Sequence, residues 1–304
     1  INMIPTFLGG MIPVWFLTGE YSRMTLAAIF SGAILLGLIL VWIGARFIRE
    51  DEAFYKHMAV TQGLKELWRL AKDLFRDKTF AIFMAAFFLI TSATGNYFSG
   101  YIYYMDNVLQ VSGLRATLPD VLTGVGQMAI FPLIVVLVKK HGSRDILWRG
   151  LLLAVVGHAV LTLPISYWMV AVTYIVTLLG YGFASAINIP LGGLVVDHIE
   201  LQTGKRQPGV VRGIMAVLMA PAASIQPLIL STLLSAAGYI GDSKAQPEEV
   251  VRAIRIGTGI IPAVILAVGI VLLAYLPINH QRELEIQAQI EAKHGRKVEA
   301  LAGE

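Results

Sequence analysis

Residues 79–105 read TFAIFMAAFFLITSATGNYFSGYIYYM, 27 residues without one Asp, Glu, Lys or Arg. Strands of globular sheets rarely exceed about 10 residues. A helix rising 1.5 Å per residue needs about 20 mostly apolar residues to cross a hydrocarbon core roughly 30 Å thick. The stretch therefore predicts a transmembrane helix. Comparable runs cover residues 1–18, 24–47, 118–138, 146–165, 167–196, 211–237 and 255–276. The first is short and interrupted by Pro5, Gly9, Gly10 and Pro13. A transmembrane barrel would show short alternating segments instead. The predicted fold class is an all-α polytopic membrane protein with about eight transmembrane helices.

Composition supports this. The 304 residues are 56% hydrophobic and 14% charged, with a mean hydropathy of +0.69. Soluble domains average about 45–50% apolar and about 25% charged. The chain has no cysteine, so disulfides, thiolate metal sites and cysteine nucleophiles are excluded. The net charge of +4 is not a nucleic-acid footprint, because 19 of the 24 Lys and Arg residues lie on one set of connections. These are residues 46–78, 139–149, 205–212 and the tail after Pro277. By the positive-inside bias that set is cytoplasmic, which predicts an integral protein of the cytoplasmic (inner) membrane. Its long loop and C-terminus then face the cytoplasm, and its expected partner is the lipid bilayer, not nucleic acid.

The long loop separates two predicted spans from six. Within it Leu64, Leu67, Trp68, Ala71, Leu74 and Phe75 recur at helical spacing, with Lys65, Arg69, Lys72 and Arg76 largely opposite. This amphipathic helix suits either an anionic headgroup layer or the cytoplasmic ends of the spans. The polar tail after Asn279 reads as a solvated, fraying helix. Six spans after a long basic loop resemble one half of a major-facilitator transporter. On that pattern residues 1–47 are the last two helices of an N-terminal half, 48–78 the central loop, 79–277 the C-terminal six-helix half and 278–304 the tail. The chain is then expected to carry the last eight of twelve helices, its N-terminal helices lying outside this sequence.

The segment VVDHIELQTGKRQPGVVRG, residues 195–213, and the closing Gly238-Tyr239 after the next apolar run resemble the glycoside–pentoside–hexuronide cation symporters, the melibiose-permease family. The loop KKHGSR at 139–144 and the aromatic helix end at Tyr101 and Tyr104 agree with that resemblance. It implies a facilitator bundle with a central cavity. It also implies symport of a sugar or similar solute with Na⁺ or H⁺, the cation-binding acids lying in the absent N-terminal helices. No other cofactor and no metal site is expected on this chain. One departure stands out. Where the family carries a functional Lys midway along its eleventh helix, the matching position here is Ala220, followed by Pro221. A lipid-like solute therefore stays open.

Polar groups inside spans are costly unless they face a cavity or a partner. Thr94, Tyr97, Tyr101 and Tyr104 form one helical stripe, with Asn96 beside it. Ser224 and Gln226 sit between Pro221 and Pro227, where freed carbonyls favour a kink. With Gln127 and Asn188, these residues are the substrate-cavity candidates, helix–helix hydrogen bonding being the plainer alternative. His158, lacking an acid in its own run, reads as a neutral hydrogen-bonded histidine. Asp197, Glu200, Lys205, Arg206 and Arg212 are candidates for a cytoplasmic gate, the alternative being a solvated loop with weak surface pairs. The glycines and alanines of residues 180–193 predict close helix packing. No HExxH or GxSxG motif occurs and the six histidines are scattered, which argues against an intramembrane enzyme. A complete eight-helix membrane scaffold is the remaining alternative.

Overall fold

The computed structural model describes residues 23–47, 63–204, 207–241, 243 and 245–302. The span expected at 1–18, the loop segment 48–62, and gate candidates Lys205 and Arg206 lie outside the described residues. Ten helices are described: α1 (Arg23–Phe47), α2 (Leu64–Arg76), α3 (Lys78–Tyr103), α4 (Leu114–His141), α5 (Ser143–Leu161), α6 (Tyr167–Thr203), α7 (Pro208–Ala236), α8 (Glu248–Thr258), α9 (Ile260–Ala274) and α10 (His280–Ala302). A π-helical turn, Tyr104–Val108, extends α3. Among the described residues, five helical segments are long and apolar enough to cross a membrane. They are α3 with its π turn, α4, α6, α7 and the α8–α9 pair. The 19 residues of α5 carry Arg144, Asp145 and Arg149 near one end. Its length of about 28 Å still matches the hydrocarbon core.

Helix α3 packs mainly on α9 and α7, α5 on α6 and α9, and α4 on α6. The α5–α6 interface is the tightest, for a reason legible in the small residues. A Cβ added at Gly180 would lie 2.6 Å from the Ala154 nitrogen and 3.0 Å from the Gly150 carbonyl oxygen. Added carbons at Gly150 and Gly157 would run into Phe183 and Thr177. With no Cβ in the way, the two backbones meet directly, which is how helices associate where lipid gives no hydrophobic drive. The expected role of this small-residue stretch as a packing surface is thus seen at Gly180.

Helix α7 runs unbroken through Pro221 and Pro227. The last expected span, 255–276, begins earlier and is interrupted. Pro247 and the first-turn acids Glu248 and Glu249 start α8 in the polar loop, where carboxylates favour a helix N-terminus. The chain then breaks at Gly259, where a Cβ would sit 2.7 Å from the Arg255 carbonyl and 2.9 Å from the Thr162 nitrogen. An apolar run alone marks neither feature.

The tail departs from the expected solvated helix. Asn279 caps α10, its Oδ1 accepting from Arg282 N at 2.8 Å. Ile286 and Ile290 are buried against the bundle. Glu283, 7% exposed, accepts from Ser143 N at 2.8 Å and from Ser143 Oγ at 2.7 Å. It thereby serves the orphan donors at the start of α5. The contact requires Gly142, whose φ of 86° makes the tight α4–α5 turn and whose missing Cβ leaves room for His280. Polarity made the tail look solvated, but its apolar Ile286 and Ile290, four residues apart, form a docking stripe.

Candidate functional site

Two helices bring four tyrosines together in the membrane-spanning bundle. Tyr97 and Tyr101 lie one turn apart on α3, while Tyr174 and Tyr181 lie two turns apart on α6. The Tyr97 ring stacks on Tyr174 with centroids 5.3 Å apart and meets His158 edge-on at 4.8 Å. Tyr101 lies closer still, its centroid 3.7 Å from that of Tyr174. The Tyr174 hydroxyl donates to the carboxylate of Asp120, half-buried on α4. His158 comes from α5 and is fully buried. Its Nδ1 is 2.9 Å from the Thr258 carbonyl and its Nε2 is 2.7 Å from the Tyr181 hydroxyl. A carbonyl only accepts, so Nδ1 donates to Thr258, while Nε2 shares a hydrogen bond with the Tyr181 hydroxyl. Both ring nitrogens thereby have partners, the hydrogen-bonded setting that the sequence reading expected for His158. The ring ties α5, α6 and the end of α8 together. Tyr104, also buried, opens the π turn, a feature often found at functional positions.

The other candidates scatter around this cluster. Thr94 is half-buried and donates to the Ile90 carbonyl of its own helix at 2.8 Å. Gln127 donates to the Leu178 carbonyl at 2.8 Å and joins α4 to α6, the plainer of its two roles. Asn188 and Ser224 are exposed on α6 and α7. The side chains of Asn96 and Gln226 lie outside the described residues. The expected stripe is therefore brought together at Tyr97 and Tyr101, packed between helices α3, α5 and α6. The polar exposed positions Ser185 and Asn188 share a face of α6, one turn apart less a residue. The Ser185 hydroxyl donates to the Tyr181 carbonyl of its own helix at 2.9 Å, and an exposed amide such as Asn188 at membrane depth is expected toward water or another protein segment, not toward lipid.

At the opposite end the gate candidates lie among further charged groups. Glu200, with a side chain 5% exposed, pairs with Lys293 of the tail helix at 3.1 Å. Asp77, between α2 and α3, caps α3 by accepting from Phe80 N at 2.8 Å. Its other oxygen lies 3.4 Å from His198 Nε2. Arg212 is exposed at the start of α7, its Nη2 close over Gly193, one turn before half-buried Asp197. The cluster is thus a set of contacts joining α2, α3, α6 and α10, with Lys293 and Asp77 as partners that sequence spacing did not suggest.

Asp120 and the Tyr174–Tyr181 pair were also missed. The signal was present: an acid just inside an apolar run, and two tyrosines seven residues apart on one helical face. Lys293 carries no such signal, since nothing in a polar tail singles out one cation.

These features define an all-α polytopic membrane protein with ionisable and aromatic groups gathered between its spans. The chain belongs to the MFS/sugar transport protein family, whose model matches residues 2–280. It is 25% identical over 193 residues to the glucuronide carrier protein homolog of Escherichia coli K12, covering 62% of this chain and 42% of that protein. It is 26% identical over 187 residues to the isoprimeverose transporter of Lactiplantibacillus pentosus, covering 60% and 39%. It is also 26% identical over 278 residues to an uncharacterised symporter of Synechocystis sp., covering 86% and 50%. The chain thus spans half or less of the length of these curated relatives.

Proposed function

We propose that this protein is a secondary transporter, not an enzyme, carrying a sugar or glycoside by alternating access in symport with Na⁺ or H⁺. Family membership carries the reading, and two relatives named for glucuronide and isoprimeverose carriage indicate the solute class. The gathering of Tyr97, Tyr101, Tyr174 and Asp120 between spans supports it. The rings pack on one another, and the ionisable Asp120 they hold at membrane depth is a functional position by default. The exposed polar face at Ser185 and Asn188, with Ser224 on α7, is the surface we assign to the solute path. The coupling cation is assigned to N-terminal helices outside this sequence, and the contacts of Asp197, Glu200 and Arg212, together with Lys205 and Arg206, to the cytoplasmic gate. The membrane is the cytoplasmic one, with the long loop and tail inside.

The test is uptake of labelled glycosides and hexuronides by the complete protein in vesicles under imposed Na⁺ or pH gradients. Gradient-dependent accumulation is expected. Uptake that ignores both gradients would refute coupling, and uptake of lysolipid in place of sugars would reassign the solute. The isolated 304-residue chain is expected to show no coupled uptake, because the path needs walls from both halves.

A further inference from the structure

Helix α2 has three chemically distinct sides. It is joined to the membrane-spanning α3 by Asp77 alone, and the turn is held by the Asp77 cap on α3 and by its contact with His198. Leu74 is buried and Leu70 packs on the bundle core. Trp68 is 66% exposed and Phe75 46% exposed. At about 100° per residue, Trp68 and Phe75 fall within roughly 20° of each other, and Leu70 and Leu74 within roughly 40°. The two pairs are separated by roughly 100–160°. Only part of the apolar sector therefore meets protein. Immediately beyond Trp68 come the exposed cations Lys72, Arg76 and Arg69, within an arc of roughly 60°. The Lys72 ammonium lies 5.7 Å from the Trp68 ring centre. Asp73 pairs with Arg76 at 3.1 Å, and the charges of Lys65 and Glu66 in the same helix cancel.

We propose that this strip binds anionic phospholipid, with Trp68 and Phe75 at the acyl boundary and Arg69, Lys72 and Arg76 on headgroup phosphates. The one-residue link to α3 places the helix at the level where a spanning helix leaves the hydrocarbon. That is the depth at which indole rings and basic side chains concentrate. The charge is complementary to an anionic leaflet, and the free apolar strip borders the cations instead of opposing them, as an interfacial helix requires. The proposal is independent of which solute, if any, is transported.

The test uses the full chain in bilayer nanodiscs of phosphatidylcholine with and without phosphatidylglycerol. Quenching by lipids brominated near the carbonyl is compared between the chain and Trp68→Phe, which isolates Trp68 from the other four tryptophans. Retention of phosphatidylglycerol is counted by native mass spectrometry. Three cations offset by Asp73 leave a net of two, so a preference of roughly 30-fold is expected at low salt, shrinking as salt rises. The triple variant Arg69→Gln, Lys72→Gln, Arg76→Gln should lose the preference. Asp73→Asn should raise it about fivefold, a gain that misfolding cannot mimic. The proposal is overturned if Trp68 is shielded from brominated lipid, as it would be under a second copy or another segment of chain. It is also overturned if the triple variant keeps the preference.

Discussion

Replacing Glu283 by Ala should release the tail helix. The carboxylate is 7% exposed and receives two donors from Ser143, at 2.8 and 2.7 Å. Hydrogen bonds to a charged group contribute about 1.5–3 kcal/mol each, and the Ser143 donors, themselves buried, would be left without this acceptor. Because removing the carboxylate also removes its desolvation cost, we take about 3 kcal/mol for the pair. Burial of Ile286 and Ile290 supplies about 1.5–3 kcal/mol each at most, against the cost of ordering the segment. The loss is therefore comparable with the whole docking energy. Amide hydrogen exchange read over residues 283–293 should accelerate about 100-fold in Glu283→Ala, with the middle of α5 unchanged. Ser143→Ala keeps the backbone donor, so its effect should be about tenfold. Glu283→Gln should fall between the two. Exchange in Glu283→Ala equal to that of the parent would refute the assignment of Glu283 as the anchor.

Gly180→Ala sets a helix-propensity gain of about 1 kcal/mol against overpacking of about 1–3 kcal/mol. Its new carbon meets backbone atoms of α5 that cannot rotate aside, so overpacking should win and the Tm in detergent should fall by about 2–6 °C. Gly213→Ala, with nothing within 4 Å, should hold or raise it; equal losses at both sites would count against the close-packing account. Gln127→Leu removes one interhelical hydrogen bond, for which membrane double-mutant cycles average about 0.6 kcal/mol, so a Tm change above about 3 °C would contradict its role as a simple tie. Asp120→Asn keeps a carbonyl acceptor for Tyr174 but loses the charge, and charge-assisted bonds are roughly twice as strong as neutral ones. Uptake by the complete protein should fall about tenfold at unchanged membrane level, and an unchanged rate would exclude Asp120 from the transport path.

The five long apolar helical segments among the described residues were legible in the sequence, because bilayer thickness imposes a length and an apolarity that each run either has or lacks. Helix α2 was equally legible, since its stripe at Leu64, Leu67, Trp68, Ala71, Leu74 and Phe75 follows the 3.6-residue period, and so was the hydrogen-bonded setting of His158. Only the tertiary structure decided what the polar residues do. Tyr97 and Tyr101 pack into one cluster because α6 presents Tyr174 to them. Gln127 became a tie to Leu178, and Glu200 found Lys293, 93 residues away, in a tail whose polarity suggested solvent. The physical reason is the same in each case. Solvent sets a periodic demand that every residue of a helix feels locally, so it is written along the chain. A hydrogen bond or ion pair between helices depends on which two faces meet, and that is settled only when backbones as close as those at Gly180 and Ala154 have packed.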